Sequence, residues 1–436
     1  MWLYESVFYQ IYPLGFCGSS TVNDGSSTHN IRNVLDWIPH FKSLGIHCIL
    51  FNPIFESDSH GYDTRDFTQI DKRLGTNEDF QITCNALKAE GIRIVLDGVF
   101  NHVGRGFWAF QDVLKHQQNS PYVNWFLINF DGNSNYNDGF WYEGWEGHYE
   151  LVKLNLHNPA VINYLLTCIQ TWIQDFHIDG LRLDVAYSLD HEFLRQLRYF
   201  TQSLSPEFAL IGEVLFGDYN LIVNDSMLHS CTNYECYKGL FSSMNDQNLY
   251  EIAHSLHRQF GNDNWCIYRN KHLMTFVDNH DVSRVASILN NKLTLPIVYG
   301  ILFGMPGIPC IYYGSEWGEP GSKQSGGDWN LRPCFPAPIS NELTTQLQQW
   351  ILMRQQSQAL CYGSYTTVCI TNQQLIFKRE FAEECIYILI NIVDNSHCFY
   401  HGELLGTFFD LMDHTVRNLG GSVELPPYSV QFLRKF

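Results

Sequence analysis

Ile92-Arg93-Ile94-Val95-Leu96-Asp97-Gly98-Val99-Phe100-Asn101-His102 opens as an apolar run of strand length and closes on polar side chains. Val, Ile and Leu without polar alternation fit a strand buried on both faces, as in a parallel sheet covered by helices. The run predicts a strand over Ile92–Val99. Similar runs occur at Val7–Ile11, Ile46–Phe51, Ile178–Leu183, Phe208–Ile211, Leu273–Val277 and Ile308–Tyr312, with a weaker one near Cys231–Tyr234. Helix-period segments separate most of them. Ile31, Val34, Leu35, Ile38 and Phe41 recur at helical spacing, and Thr76-Asn77-Glu78-Asp79 has the form of a capping box. Asn158-Pro159 starts a helix whose Ile162, Leu165, Leu166, Ile169 and Ile173 share one face. Eight strands alternating with helices predict an α/β fold of the (β/α)8 TIM-barrel type.

Two parts stand outside the repeat. The 56 residues between Asn101 and Asn158 are too many for a βα loop and carry Trp108, Trp125, Trp141 and Trp145, which predicts a small inserted domain. After about Tyr362 the pattern changes to short alternating runs at Leu375–Phe377, Ile386–Ile392, Phe408–Met412 and Val430–Leu433. The expected organisation is therefore barrel over 1–101, insert over 102–157, barrel again over 158–361, and a C-terminal antiparallel β-sandwich domain over 362–436.

Composition narrows the function. The chain has 436 residues, 45% hydrophobic, 17% charged and 15% aromatic. That supports a large core and leaves flat rings over for stacking on sugars or bases. With 27 Lys+Arg against 45 Asp+Glu the net charge is −18, which repels a phosphate backbone and disfavours a nucleic-acid partner. The 13 cysteines are odd in number, scattered and without a C-x-x-C pair, so buried reduced thiols in a cytoplasmic protein are expected. The opening Met1-Trp2-Leu3-Tyr4-Glu5 has no leader-like pattern. Leu293–Ser315 is uncharged but broken by Pro296, Pro306 and Pro309, which predicts a buried helix, a turn and a buried strand rather than a membrane span.

Active groups of such a barrel sit at the C-terminal ends of its strands. There the sequence delivers Asp97 to His102, Arg182 and Asp184, Glu213, and Asp278 to Asp281. Several carboxylates kept together cost several kcal/mol, roughly, in repulsion and desolvation, so a fold retains them for a metal or for acid/base chemistry. Asp97, His102, Asp184, Glu213, His280 and Asp281 are a conceivable ligand set, but no His-x-His or His-Glu-x-x-His spacing supports it and Arg182 repels a cation. No Gly-rich phosphate cradle is present. Paired carboxylates among aromatics fit glycoside cleavage. Arg182 favours an ionised Asp184, while Glu213 emerges from the apolar Phe208–Ile211, where desolvation raises proton affinity. Asp281 is placed to stabilise positive charge, and His102 and His280 to bond sugar hydroxyls.

These residues resemble the alpha-amylase family, glycoside hydrolase family 13. The matching segments are Asp97 to His102, Gly180-Leu-Arg-Leu-Asp184, Gly212-Glu-Val214, Phe276-Val-Asp-Asn-His-Asp281, Gly307-Ile-Pro-Cys-Ile-Tyr-Tyr-Gly314 and Leu425-Pro-Pro-Tyr428. The resemblance implies Asp184 as nucleophile, Glu213 as general acid/base and Asp281 as transition-state stabiliser. It implies Tyr62 stacking on the reacting sugar and Asp328 with Arg332 binding the next one. It further implies a retaining hydrolase of α-1,4-glucosidic bonds in maltooligosaccharides or other α-glucans, with an α-glucan transglycosylase or a non-catalytic glucan-binding protein as alternatives. Leu151-Val-Lys-Leu-Asn155 before Asn158 is similar to the segment marking neopullulanases, cyclomaltodextrinases and maltogenic amylases. Those usually carry an N-terminal β domain, whereas the first barrel strand is expected here within ten residues of Met1, which leaves dimerisation and oligomeric state open. Val185-Ala-Tyr-Ser188 lacks the Lys-His pair of calcium-dependent relatives, so no required cofactor is expected and a structural calcium is not favoured, although Asn101 remains.

Overall fold

The computed structural model describes residues 1–324 and 327–436. Each of the eight expected runs is a strand: β1 (Phe8–Ile11), β2 (Cys48–Phe51), β3 (Arg93–Gly98), β4 (Gly180–Leu183), β5 (Ala209–Gly212), β6 (Ser230–Cys231), β7 (Met274–Thr275) and β8 (Ile308–Tyr312). All are parallel, in the order β6-β5-β4-β3-β2-β1-β8-β7. A bridge between Thr232 and Met274 joins the two ends and closes the cylinder. Phe8, Cys48, Leu50, Val95, Ile211, Ile308 and Cys310 fill its interior, and Leu3 of the short helix Trp2–Glu5 packs into the same cluster. No helix among the described residues is long and apolar enough to cross a membrane.

Local chemistry sets most element boundaries. Thr76 and Asp79 form the capping box that starts helix Asn77–Ala89, and Asn158 caps helix Pro159–Phe176 through the Ala160 N–H. The pattern from Ile31 to Phe41 does not give one helix. It splits into a 3-10 segment, Asn30–Trp37, and an α-helix, Ile38–Leu44. Pro39 has no N–H to continue a ladder from the preceding turn, so the chain restarts there. Leu293–Ser315 holds a buried helix, Leu295–Gly304, followed by β8. All thirteen cysteines are free, nine of them buried.

The segment after β3 builds on a three-stranded antiparallel sheet of His102–Gly104, His148–Lys153 and Gly144–Trp145. Trp108 packs edge to face with Trp125, 5.3 Å apart at their ring centroids, and with Tyr122 and Tyr164, so these rings serve cohesion.

At the C-terminus, β9 (Ser364–Ile370), β10 (Gln374–Phe381), β11 (Glu384–Asn391), β12 (His397–Asp410), β13 (Val416–Leu425) and β14 (Ser429–Lys435) are antiparallel. Hydrogen bonds join all six, in the order β9-β10-β11-β14-β12-β13. The 14-residue β12 breaks register between Tyr400 and Leu405 and pairs with both β13 and β14. The sheet covers its own outer face, where Ile376, Tyr387, Leu389, Phe408, Val423 and Leu433 form a separate core. Its inner face meets helix Leu295–Gly304, where a Cβ at Gly300 would stand 2.6 Å from Val430 and one at Gly304 2.9 Å from Ile388.

Candidate active site

Strand register brings the polar ends together. Arg182 on β4 lies beside Asp97 on β3 and Ile211 on β5, and Leu183 lies beside Gly212. Asp184 and Glu213 therefore leave neighbouring strands at one level of the barrel mouth. The Arg182 guanidinium, 3% exposed, ties the acids together. Its Nη1 donates to both Asp97 oxygens at 2.8 Å and to Asp184 Oδ1 at 3.0 Å. Its Nη2 is 2.8 Å from Glu213 Oε1. One cation faces three carboxylates in a buried space, an arrangement that favours retention of a proton. Burial raises the proton affinity of Asp184 well above the carboxylate range against the pull of Arg182, with Glu213 and Asp97 adding to the rise. Burial raises Glu213 as well, again opposed by Arg182.

Val185 supplies a second hold on Glu213. This β-branched residue sits in the left-handed region, at φ 39 and ψ 47, and its N–H donates to Glu213 Oε2 at 3.1 Å. A β-branched residue there is strained, and such strain collects at functional sites.

Asp281 has the opposite electrostatics. His280 Nε2 lies 3.0 Å from its Oδ2 and Arg332 Nη2 3.1 Å from its Oδ1. Burial raises its proton affinity, but His280 and then Arg332 outweigh that and hold the carboxyl below its usual range. It stays ionised while the Asp184–Glu213 pair keeps a proton. Gln10 of β1 fixes the His280 ring: its Nε2 donates to Asn52 Oδ1 at 2.9 Å and meets His280 Nδ1 at 3.0 Å. An amide N–H facing Nδ1 leaves that nitrogen as acceptor and places the ring proton on Nε2, which faces the Tyr62 hydroxyl at 2.5 Å and lies 3.0 Å from Asp281 Oδ2.

Tyr62 stands on the turn between strands Phe55–Ser57 and Thr64–Ile70. Its hydroxyl donates to Asp97 Oδ2 at 3.0 Å, and its ring is parallel to His280 within 6°, with centroids 5.6 Å apart. His102 is buried, and burial lowers its pKa to about 3, so its ring is neutral. Asn101 Nδ2 faces its Nδ1 at 3.1 Å. Its Nε2 has no hydrogen-bond partner among the described residues and lies 3.9 Å from Asp184 Oδ2. That N–H is poised for an acceptor such as a sugar hydroxyl. Asp328 Oδ2 is 3.6 Å from Arg332 Nη2, and Lys323 Nζ lies 3.9 Å from Asp328 Oδ1.

All nine site residues expected from sequence thus gather at one mouth. Asp278 turns away: its carboxylate accepts from the Val285 N–H and the Ser315 hydroxyl in the wall. Sequence reasoning missed the positioning groups Gln10, Asn52 and Val185, and it quoted Asp97 without its partner. Gln10 was readable as the one amide in the apolar run Val7–Ile11.

The comparisons agree with this geometry. The family model "Alpha amylase, catalytic domain" matches residues 10–359. A cyclomaltodextrinase of Geobacillus thermopakistaniensis is 30% identical over 427 residues, covering 89% of this chain and 69% of the relative. An intracellular maltogenic amylase of Bacillus subtilis is 31% identical over 417 residues, again 89% and 69%. Among solved structures, a cyclic alpha-maltosyl-(1→6)-maltose hydrolase from Arthrobacter globiformis superposes with a TM-score of 0.84 at 26% identity, covering 100% of both chains. The debranching enzyme of Nostoc punctiforme reaches 0.82 at 28% identity, covering 99% of this chain and 98% of its own. With a closed eight-stranded barrel, three acids at its mouth and a family model spanning most of the sequence, the chain belongs to the alpha-amylase family of glycoside hydrolases.

Proposed function

We propose that the protein hydrolyses α-1,4-glucosidic bonds of maltooligosaccharides and related α-glucans with retention, through a covalent glycosyl-enzyme intermediate. The observation that carries this reading is the single Arg182 guanidinium bonded to both Asp184 and Glu213, with ionised Asp281 at the same mouth. Glu213 gives its proton to the glycosidic oxygen as that bond breaks, and Asp184 forms a bond to the anomeric carbon. Glu213, now a carboxylate, takes a proton from water, whose oxygen displaces Asp184 and returns the α-anomer. Asp281 stabilises the positive charge that develops between these steps. Tyr62, His102, His280, Asp328 and Arg332 hold the sugar hydroxyls and ring face. The steps use no metal ion, and Arg182 among the acids disfavours one there. The names of the relatives support α-glucan substrates and a cytoplasmic setting; the net charge of −18 speaks against nucleic acid.

Leu215 and Phe216 favour transglycosylation as a second outcome of the same intermediate. They follow Glu213-Val214, are 40% and 65% exposed, and Phe216 lies 5.0 Å from the Tyr187 ring. Tyr187 stands on the turn Ala186–Ser188 just after Asp184, and burial raises its hydroxyl to about 12. Such an apolar face suits a sugar acceptor better than water.

The test is proton NMR of maltotriose digestion. The α-anomer appearing first supports the reading; the β-anomer first, or no released sugar, overturns it. Chromatography of the same digest for products longer than maltotriose decides the second outcome.

A further inference from the structure

Helix Tyr250–Phe260 stops at Gly261, and the chain from His257 to Cys266 doubles back so that three donor side chains meet outside the barrel mouth. One ligand atom each from His257, Asp263 and Cys266 lies within 4.8 Å of the other two. His257 Nε2 is 2.8 Å from Asp263 Oδ2, and Cys266 Sγ donates to the His257 carbonyl at 3.1 Å. Gly261 permits the approach. A Cβ there would stand 2.6 Å from the His257 carbonyl oxygen, 3.0 Å from Cys266 Sγ and 3.1 Å from His257 Nδ1, crowding both the helix end and the space between sulfur and imidazole.

We infer that this corner is a binding site for a zinc-type divalent cation. A sulfur, a nitrogen and one carboxylate oxygen form a donor set suited to zinc, whereas magnesium and calcium take oxygen ligands. The His257 and Asp263 side chains are 37% and 54% exposed, so the ion has an entry path and a fourth position open to water. On binding, Cys266 loses its S–H proton to solvent and the thiolate forms a bond to the ion, while Asp263 and His257 exchange their mutual hydrogen bond for two metal bonds. Without the ion, the same contacts act as a hydrogen-bonded end to the helix. The ion would tie the helix to the segment entering β7, the strand that leads to Asp281. It is a stability site, independent of the sugar chemistry.

The experiment is titration of the full chain, first stripped of metal by chelator, with Zn2+ by calorimetry and with Co2+ by absorbance. The expected result is one ion per chain at micromolar affinity, a sulfur-to-cobalt band in the near ultraviolet and a higher unfolding temperature. Cys266→Ser should weaken binding by about tenfold or more, whereas Cys334→Ser and Cys398→Ser, at exposed thiols, should not. If Cys266→Ser does not fold, Asp263→Asn at the exposed ligand replaces it. Absence of binding in the micromolar range, or binding unchanged by these ligand substitutions, overturns the proposal.

Discussion

Replacing Arg182 with Met keeps most of the side-chain volume and removes the one cation shared by Asp97, Asp184 and Glu213. For unit charges about 4 Å apart at an effective dielectric of about 20, each lost pairing is worth about 4 kcal/mol, and removing one partner of a buried pair costs about 3–5 kcal/mol overall. That is a large share of a typical total of about 5–15 kcal/mol. For 436 residues unfolding as one unit the conversion is about 1 °C per kcal/mol, so the melting temperature should fall by roughly 3–6 °C at neutral pH. The pH dependence distinguishes lost charge pairing from lost packing. Burial already raises the folded-state pKa of Asp184 and Glu213 while Arg182 lowers it, so the substitution raises both further. A carboxyl raised above its unfolded value binds more protons folded than unfolded. Stability then falls as pH rises from the unfolded value, about 4, to the folded one, and the deficit vanishes below that window. Differential scanning calorimetry from about pH 4 to pH 8 should therefore show the variant approaching wild type in acid and diverging toward neutrality. Arg182→Lys, a point charge unable to serve three acids at once, should fall between them. A deficit constant with pH would refute the shared-cation account.

Glu213→Gln should fold normally yet lose roughly a thousandfold in turnover of maltotriose, while a glycosyl fluoride, whose leaving group needs no proton, should still load the enzyme. Equal losses on both substrates would contradict the acid role. The alkaline limb of kcat/KM should reflect the pair's raised proton affinity, activity being lost as pH rises through it; a profile flat to the alkaline limit of stability would sink that assignment. Gln10→Leu should lower kcat by about ten- to a hundredfold through misplacement of His280 and Asp281, with a smaller change in KM; an unchanged kcat would show that the ring needs no such support. Gly300→Ala should lower the melting temperature despite a helix-propensity gain of about 1 kcal/mol, because the new methyl meets stiff Val430 at 2.6 Å and overpacking costs about 1–3 kcal/mol.

The barrel was legible because each of its strands is buried on both faces, so Ile92–Val99 and its counterparts carry their signal without a partner. The C-terminal sheet was legible only in part for the converse reason. β9 and β13 are threonine- and glycine-rich, and most of their residues are exposed or half-buried, so their hydrogen bonds to β10 and β12 leave little trace in composition. The pairing of β12 with both β13 and β14 depends on a register break inside β12, a property of pairing rather than of any one strand.

The site shows the same division one level down. Asp184, Glu213 and Asp281 were readable because each ends an apolar run, and strand ends in this fold share a face. What divides their labour is lateral: Asp97 beside Arg182 across two strands, Gln10 behind His280 across the barrel, Val185 turned into the left-handed region under Glu213. None of these follows from spacing along the chain, because register and closure are fixed only when the cylinder forms. The proton affinities of the three acids are thus products of the fold. Arg182 spreads one charge over three carboxylates and burial raises Asp184 and Glu213, whereas Asp281 faces both His280 and Arg332 and is held below its usual range. Moving a positive charge from the second group to the first should equalise the acids and stop the chemistry without displacing a single carboxylate.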